Sequence, residues 1–550
     1  MEDPMKQPKT KGGFLQVIQR IIMWRLPVSA KYFYFPSYSG WFFAALFVII
    51  SLVYNFQEIL FKPPQSIHQW RQCDCLSITL NYYQDNNPFF EPSIHFLGRD
   101  GSGKTASDFP LIYWTVAQLW KVFGHHEFIY RLFVLVFYFA GLLALFKMCE
   151  QVLKDSTLAL TGALLLFASP TLAYYSNNFL MDIPAFSAAL IGLWFFYRFS
   201  QNRRNIHFLL FLLFFALGGL LKISSLIGFF AIIGLFLLEL FNIRILPDRK
   251  IFFSPLKQAV GFFIVLAVQF LWYSYASSYS AEHNPGVFLL GILPVWDLNK
   301  SQICVVVEYI IDHMKWNYFA RETQAIIVLF WLVVVAHYKK ANRLFLLLML
   351  ILTLGLLAFA TIFFQPLKDH DYYTINLFIL IPVTWISFVL LIKKHYSGLY
   401  AGFLFRALLV ALLLFNVNFT RARIKGRYSA KAWQNQNYIE NTRHFVTIGP
   451  YLDSIGIRKD DKVISISDPS TNISLYLMNR KGWTELGVGR NPDVIKRTIG
   501  QGARYVFVYD EEVYDHEHLS FLFTNKIGEH GNIEIYSISD GGNSIKDDQQ

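Results

Sequence analysis

Charged residues and cysteines are scarce in this chain of 550 residues. Asp, Glu, Lys and Arg together make up 16% of it, below the share of about 25% that is typical of soluble domains. The four cysteines, Cys73, Cys75, Cys149 and Cys304, are too few and too scattered for a disulfide scaffold. The first forty residues are polar and basic, and no small-residue cleavage site follows a short apolar core. We therefore expect no cleavable signal peptide.

Hydrophobic residues are abundant instead, at 54% of the chain. They form eleven apolar stretches, near residues 40–59, 128–149, 157–175, 183–200, 206–221, 224–243, 256–276, 324–340, 343–364, 374–393 and 399–418. A helix needs about 20 apolar residues to cross a bilayer, and it must be apolar all round because lipid offers no partner to backbone amides. The pattern predicts an all-α membrane protein with about eleven transmembrane helices.

The positive charge indicates how these helices are oriented. The net charge of +11 lies mainly in the N-terminal segment and in the gaps after every even-numbered stretch, as in Arg203–Arg204, Arg249–Lys250 and Lys393–Lys394. Short basic gaps are typical of cytoplasmic loops rather than of a nucleic-acid-binding surface. We therefore predict a multi-pass protein of the cytoplasmic membrane with its N-terminus inside and its C-terminus outside. If the fifth and sixth stretches were one helix running through Lys222, everything downstream would be reversed.

Four regions follow from this topology. Residues 1–39 are predicted to be a cytoplasmic segment, 40–419 a transmembrane domain, 420–540 an extracytoplasmic domain and 541–550 a disordered tail. The tail domain alternates strand-like and helix-like segments, which predicts a small α/β fold. The first outer loop contains an amphipathic helical stretch at 109–123, which we expect to lie beside the membrane as a juxtamembrane helix.

The segment Gly98–Thr105 fits the phosphate-loop pattern, but the pattern lacks its structural context. A phosphate loop needs a buried strand before it and a helix directly after it within an α/β sheet. The predicted orientation also places this loop outside the cytoplasm, where nucleoside triphosphates are scarce. We expect neither nucleotide nor nucleic acid as a partner.

One candidate constellation follows the first stretch. His68, Arg71 and Asp74 are spaced i, i+3, i+6, so that on a helix Arg71 neighbours both of the other side chains. This arrangement offers an acid or a base beside a fixed cation. The alternative is a solvated juxtamembrane helix with ordinary ion pairs.

Further candidates lie at the outer ends of later stretches. Asp182 opens the fourth stretch, where it has a chemical role, starts the helix, or does both. Lys222 stands alone between two stretches and either binds phosphate or reaches the interface. One outer turn crowds together Lys368, His370, Asp371, Tyr372 and Tyr373. That turn is a candidate for recognition of phosphate or sugar hydroxyls. Glu127 and Arg131, spaced i, i+4, are expected to form a structural ion pair.

The order of these motifs resembles the GT-C superfamily of membrane glycosyltransferases. The resemblance covers about residues 40–400. Within this superfamily, the chain is similar to protein O-mannosyltransferases and bacterial lipid A aminoarabinose transferases. It rests on HQWRQCD (68–74), FPLIYW (109–114), FGHHEFIYRL (123–132), Asp182-Ile-Pro184 and HDYY (370–373). It favours a bacterial source.

The resemblance implies an inverting transfer of a sugar from a polyprenyl-phosphate donor to an envelope acceptor, which is a protein, a lipid or a glycan. A carboxylate in the first outer loop would act as the base. Arg71, Lys222, Lys368 and His370 are the candidates for stabilising the leaving phosphate, and Asp371, Tyr372 and Tyr373 for donor recognition. At the positions where the family often has an Asp-Glu pair, this chain has His68 and Gln69. We therefore predict Asp74 as the base, assisted by His68.

The resemblance also leaves some assignments open. Asp182 matches a second acidic position, which would orient the acceptor or hold a metal. Because only some relatives use a divalent metal, a requirement for one stays open, and no other cofactor is expected.

Two other functions remain as alternatives. A transporter or flippase would place ionisable residues near mid-membrane and show repeated halves. Here the ionisable residues cluster at the ends of the stretches, and we find no repeat. A polymer ligase of envelope glycans would share the chemistry and differ in its acceptor.

Overall fold

The computed structural model describes residues 33–288 and 291–538. The predicted segment 541–550, and all but the end of the predicted segment 1–39, lie outside these residues. The helices up to the tail domain are α1 (Pro36–Val53), α2 (Phe56–Ile59), α3 (Gln69–Gln84), α4 (Leu111–Phe123), α5 (Glu127–Leu153), α6 (Ser156–Phe167), α7 (Pro170–Ser176), α8 (Asp182–Asn202), α9 (Asn205–Leu221), α10 (Ile227–Leu240), α11 (Pro255–His283), α12 (Lys300–Asp312), α13 (Arg321–Ala336), α14 (Arg343–Ile362), α15 (Leu380–His395), α16 (Ser397–Ala401) and α17 (Phe403–Arg427).

Eight helical segments of the described chain are long and apolar enough to cross a membrane, by length and composition. Two of them consist of a 3₁₀ turn followed by an α-helix. Ile223–Leu240 ends in α10, and Asp371–His395 ends in α15. The other six are α1, α5, α8, α11, α14 and α17. The chain is therefore a multi-pass membrane protein by its helices.

The predicted count of eleven is not confirmed, although each predicted stretch contains a helix. Helices α6 and α7 meet at 75°, and the segment Lys300–Asn317 meets α13 at 100°, so that the count is eight, or up to ten if each bent pair is one span. Pro170 opens α7, where its ring prevents α6 from continuing. Helix α9 has 17 residues and falls short of the span length. Hydropathy measures how apolar a stretch is and carries no information on such bends.

The fifth and sixth stretches are separate helices. Lys222, with φ −159° and ψ 116°, is extended between the end of α9 and a 3₁₀ turn, Ile223–Leu226. An extended residue breaks the ladder of i to i−4 hydrogen bonds. The single long helix that would reverse the predicted topology is therefore not formed.

The segment between α2 and α5 packs α3 against α4 and against the tail domain. Helix α4 buries Ile112, Tyr113, Val116 and Trp120 on one face and leaves Val122 and Phe123 exposed, as expected for an amphipathic helix. The segment Gly98–Thr105 lies on the tail domain, because Leu97 donates its backbone N–H to Gly482 O at 2.7 Å. The next helix, α4, begins only at Leu111. Gly98–Thr105 therefore forms a docking turn, without the helix of a phosphate loop.

The tail domain is an α/β fold with one mixed sheet, as predicted. Its strands are β1 (Lys462–Ser465), β2 (Gly482–Thr484), β3 (Ala503–Val508), β4 (Lys526–His530) and β5 (Ile533–Ser537), in the order β2-β1-β3-β5-β4. Strand β1 pairs in parallel with β2 and β3, and β5 pairs antiparallel with β3 and β4. The helices of the tail are α18 (Trp433–Asn437), α19 (Gly449–Ser454), α20 (Ile473–Met478), α21 (Glu485–Val488) and α22 (Pro492–Gly500). The turn before α20 contacts α3, and this contact matters for the site.

Candidate active site

The entry to α3 is a sharp turn with two non-glycine residues in the left-handed region. Ser66 has φ 70° and His68 has φ 58°, an uncommon conformation for residues with a Cβ. The backbone N–H of Ser66 donates to Asn435 Oδ1 at 3.1 Å, and its hydroxyl donates to Arg427 O at 2.7 Å. The end of α17 and the start of the tail domain thus fix the turn that places His68 and Arg71.

Arg71 forms an ion pair with Asp108, a residue that the sequence analysis did not single out. Arg71 Nη2 lies 2.5 Å from Asp108 Oδ2, and the hydroxyl of Tyr113 donates to the same oxygen at 3.4 Å. The ring centroid of Phe288 lies 5.2 Å from the Arg71 guanidinium carbon. Asp108 directly precedes FPLIYW (109–114), so that the motif quoted for the resemblance was its nearest signal.

A second acid–cation pair joins Asp182 and Lys222. Asp182, which is 2% exposed, begins α8 and lies 3.7 Å from Lys222 Nζ. Its Oδ1 accepts no hydrogen bond within the described chain. The ammonium of Lys222 lies 5.0 Å from the ring centroid of Tyr373 and 5.7 Å from that of Tyr372, within the range of cation–π attraction. Four predicted site residues therefore meet at the Lys222 break between two helices.

One member of each pair, Asp108 and Lys222 respectively, lines a cavity of about 780 Å³, and Tyr373 lines it as well. The other lining residues include polar side chains, Ser107, Ser224, Gln269, Tyr273, Ser274, Ser277 and Ser278. The rest are Ile223, Phe270, Ile292, Phe359, Phe363 and Gly291. This volume is in the range of small-molecule sites, about 300–1,000 Å³. The cavity can hold a molecule with a charged, a polar and an apolar part.

A buried cluster surrounds Asp371, the second residue of HDYY (370–373). Asp371 is fully buried, and it accepts hydrogen bonds from Tyr175 at 2.5 Å and from Arg427 Nη2 at 2.7 Å. His68 Nε2 lies 3.5 Å from Asp371 Oδ1. This cluster joins the turn before α3, the turn before α15 and the end of α17.

His68 and His370 stack with their ring centroids 5.3 Å apart. Burial, together with the neighbouring His68, lowers the pKa of His370 to about 4. His370 is therefore neutral near pH 7, where it can donate a hydrogen bond but contributes no charge.

Asp74 faces the tail domain. It is 4% exposed, and its Oδ1 accepts hydrogen bonds from Thr471 Oγ1 and Asn472 Nδ2, both at 2.8 Å. Burial raises the pKa of Asp74, while Arg71 opposes the shift. These contacts are those of a docking residue, and Asp74 does not line the cavity of Lys222. Its role as the base stays a prediction.

Lys368 lies apart from the other candidate cations. Its Nζ is 3.5 Å from Asp369 Oδ2, and it lines a separate cavity of about 220 Å³ beside α12. The structure therefore brings together Arg71 and Lys222 and leaves Lys368 outside their cavity.

The acids of the site face cations rather than one another. Within residues 33–288 and 291–538, no group of three or more His, Cys, Asp or Glu side chains is placed to hold a metal ion. Asp108 pairs with Arg71, and Asp182 pairs with Lys222. Each of the two acids therefore has a cation as its ion-pair partner, and the two do not form a ready set of metal ligands in this arrangement.

Comparisons with known proteins agree with the sequence motifs. The family model described as dolichyl-phosphate-mannose-protein mannosyltransferase matches residues 106–273. No curated protein matches the sequence.

Three solved structures illustrate the likeness in fold. ArnT from Cupriavidus metallidurans, bound to undecaprenyl phosphate, is 12% identical with a TM-score of 0.58, covering 92% of this chain and 99% of its own. The archaeal oligosaccharyltransferase AglB from Archaeoglobus fulgidus, in complex with an inhibitory peptide and a dolichol-phosphate, is 11% identical with a TM-score of 0.51, covering 88% and 71%. The arabinofuranosyltransferase AftD from Mycobacteria is 10% identical with a TM-score of 0.50, covering 90% and 40%. At these identities the likeness shows a shared fold. The family match over residues 106–273 and this fold together agree with the predicted resemblance to GT-C membrane glycosyltransferases.

Proposed function

We propose that this chain is an inverting glycosyltransferase that moves a sugar from a polyprenyl-phosphate donor to an envelope acceptor. The observation that carries the proposal is that one member of each of two acid–cation pairs, Asp108 of Arg71–Asp108 and Lys222 of Lys222–Asp182, lines the same cavity among membrane helices. The match to a family named for dolichyl-phosphate-mannose supports it. The fold shared with ArnT and AglB, both solved with a polyprenyl-phosphate carrier, supports it as well.

The cavity suits the phosphate and the first part of the lipid. Arg71 and Lys222 are the cations beside it, and charged donors placed in advance stabilise the charge that gathers on a leaving phosphate. Phe270, Phe359 and Phe363 give the cavity an apolar side that suits the prenyl chain. His370, which is neutral, would assist by hydrogen bonding only.

We assign the base to Asp108 rather than to Asp74. Asp108 lines the cavity, whereas the Oδ1 of Asp74 already accepts two hydrogen bonds from the tail domain. When the donor phosphate engages Arg71, the carboxylate of Asp108 loses part of its partner and becomes free to accept a proton. Binding of the donor would thus prepare the base.

The reaction then balances as a single displacement. The acceptor hydroxyl passes its proton to Asp108, and its oxygen forms a bond to the anomeric carbon. The bond between that carbon and the phosphate oxygen breaks, and its electron pair stays on the polyprenyl phosphate. To Asp182, which lies beside Lys222 and whose Oδ1 accepts no hydrogen bond from the described residues, we assign the role of orienting the acceptor.

The experiment is a transfer assay with purified protein and a polyprenyl phosphate carrying a labelled sugar. We expect wild type to release label from the lipid, Asp108→Asn and Asp182→Asn to release little, and Asp74→Asn to remain active. Full activity of both Asp108→Asn and Asp182→Asn would refute the assignment. Label that crosses a vesicle membrane while still attached to its lipid would support the flippase. Mass analysis of the product would separate protein, lipid and polymer acceptors, and donors with a hexose or a pentose would identify the sugar.

The proposed location of the reaction is the outer face of a bacterial cytoplasmic membrane. Cys304 provides a native reporter, because it is exposed while Cys73, Cys75 and Cys149 are buried. A membrane-impermeant maleimide added outside intact cells should label Cys304. A Cys304→Ser, Asn242→Cys variant should be labelled only after the cells are opened. The reverse pattern would place the cavity on the cytoplasmic side and would remove the proposal.

A further inference from the structure

A second cavity, of about 480 Å³, lies between the membrane helices and the tail domain. Residues 125–128, at the start of α5, line it from one side, and Tyr476 and Asn479 line it from the tail domain. It shares no lining residue with the cavity of Lys222. The proposed transfer therefore does not use this second cavity, which we call the tail pocket.

The tail pocket contains one carboxylate, and that carboxylate has an unused oxygen. Glu127 lines the pocket, and its Oε1 accepts from the hydroxyl of Tyr476 at 2.6 Å. Its Oε2 accepts no hydrogen bond from the described residues and, unlike the unpartnered oxygen of Asp182, is not enclosed by protein. The described residues that line the pocket include no lysine and no arginine. A partly buried carboxylate is stabilised by a ligand that brings a positive charge and an N–H donor.

The nearest cation along the chain, Arg131, is directed elsewhere. Its side chain is fully buried, and it donates to Asn177 O at 2.6 Å and to Lys62 O at 3.1 Å. The guanidinium carbon also lies 4.2 Å from the ring centroid of Phe179. A charged donor to Glu127 Oε2 must therefore come from outside the described chain.

The tail pocket also offers hydrogen-bond donors to an anion. His125 and His126 line it and are exposed, and the side-chain amide of Asn479 lies in the same wall. Imidazole and amide N–H groups both donate to phosphate oxygens. A ligand that carries an ammonium and a phosphate thus finds a partner for each group.

The surroundings place the tail pocket at the membrane surface. Glu127 begins α5, a helix long and apolar enough to cross a membrane. Phe61, which lines the pocket, is 68% exposed, and Phe123, at the end of the amphipathic helix α4, is 64% exposed. Exposed apolar side chains on an amphipathic helix are typical of a segment that lies in the membrane interface. A lipid of the surrounding leaflet can therefore reach the pocket.

We propose that the tail pocket binds the headgroup of a membrane phospholipid that carries a primary ammonium. The ammonium donates to Glu127 Oε2, the phosphate accepts from the His125–His126 turn, and the acyl chains lie against Phe61. A lysine side chain of a protein carries the same ammonium, but the apolar rim at the start of a membrane helix favours a lipid. Because membrane helices and tail domain both line the pocket, the bound lipid stabilises their contact.

The test is a binding measurement with the full chain in detergent and three short-chain phospholipids. Dihexanoyl phosphatidylethanolamine, phosphatidylcholine and phosphatidylglycerol share the phosphate and the chains, and only the first carries a primary ammonium. We expect wild type to bind the ethanolamine lipid about tenfold more tightly than the other two, as expected for a hydrogen bond to a charged group. Glu127→Gln should lose that preference, since the amide keeps the size of the side chain and still accepts from Tyr476.

Glu91→Gln is the matched control. Glu91 lies in the same segment between α2 and α5, does not line the tail pocket and pairs with Lys104 at 2.9 Å. This variant should keep the preference of wild type. The ethanolamine lipid should also raise the midpoint of thermal unfolding in wild type and in Glu91→Gln, but not in Glu127→Gln. The unfolding curves without lipid check that each variant is folded.

Four outcomes would overturn the proposal. The first is equal binding of the three lipids to wild type. The second is choline lipid bound as tightly as ethanolamine lipid, which would show that aromatic rings rather than Oε2 select the headgroup. The third is an equal loss of preference in Glu91→Gln. The fourth is a tetralysine peptide that displaces the lipid from wild type and binds more tightly than it, which would assign the pocket to a protein. The assay contains no transfer step, so that its failure is distinct from failure of the proposed activity.

Discussion

Two regions of this molecule contain a buried aspartate beside an arginine and a tyrosine, yet they differ in what surrounds the carboxylate. Asp108 pairs with Arg71 and Tyr113 and borders a cavity of about 780 Å³. Asp371 pairs with Arg427 and Tyr175 and is fully buried. A carboxylate at a cavity can change partners when a ligand arrives, whereas a carboxylate enclosed by protein holds its elements together. From this difference we propose a chemical role for the first region and a stabilising role for the second.

The largest effect expected is the loss of transfer in Asp108→Asn. The amide keeps the size of the side chain but cannot take a proton from the acceptor. General-base assistance contributes about 10²–10⁴-fold, and the single-turnover rate should fall by about that factor. Donor binding should not weaken, because the amide leaves Arg71 free for the phosphate. A rate within twofold of wild type, with unchanged binding, would contradict the assignment and reopen Asp182 and Asp74 as bases.

Asp371→Asn should produce the opposite result. Arg427, which is 3% exposed, would lose its anion while remaining buried. Removing one partner of a buried ion pair costs about 3–5 kcal/mol, and the midpoint of thermal unfolding should fall clearly. Molecules that remain folded should keep most of their transfer rate. An Asp371→Asn protein as stable as wild type but inactive would move Asp371 into the chemistry and would break the comparison.

Local sequence patterns predicted much of the membrane part and some of the site. Each apolar stretch contains a helix, and the isolated Lys222 marks a true break. Asp182 and Tyr373 were identified because charged and aromatic residues at the ends of apolar helices stand out. The count of spans was not predictable, because the bends at α6–α7 and before α13 depend on packing and backbone breaks rather than on hydropathy.

The missed partners come from distant parts of the chain. Asp108 reaches Arg71 across 37 positions, and Arg427 reaches Asp371 across 56, separations that no helical spacing connects. The expected Glu127–Arg131 pair was wrong for the same reason. Arg131 donates to Asn177 O at 2.6 Å, and Glu127 accepts from Tyr476 at 2.6 Å. Tertiary partners outcompeted the i, i+4 neighbour.

A smaller effect, on donor binding, should distinguish Lys222, which lines the large cavity, from Lys368, which does not. Lys222→Met keeps the length of the side chain and removes the charge beside the donor phosphate. Hydrogen bonds to charged groups contribute about 1.5–3 kcal/mol, which corresponds to about ten- to a hundredfold weaker binding of polyprenyl phosphate. Lys368→Met is the matched control and should bind normally, because Lys368 lines a different cavity. An equal loss of polyprenyl-phosphate binding in both variants would show that positive charge acts on the phosphate at long range. The position of Lys222 in the cavity wall would then give it no special role.

The smallest effect expected is the share of the pH dependence of stability that His370 contributes in the Asp371 region. The groups facing His370 are His68, Asp371, Lys222, Tyr372 and Tyr373. Because the pKa of His370 is lowered to about 4 in the folded state from about 6.5 in the unfolded chain, the unfolded chain binds more protons between these values. The contribution of His370 to stability is therefore fully present above pH 6.5 and is lost as the pH falls towards 4. Thermal unfolding followed from pH 7.5 to 4.5 should show a decline that is shallower in His370→Gln, while Asp108→Asn should keep the slope of wild type. A slope unchanged by His370→Gln would mean that other groups cause the decline. The stacked rings of His68 and His370 would then make no pH-dependent contribution to stability.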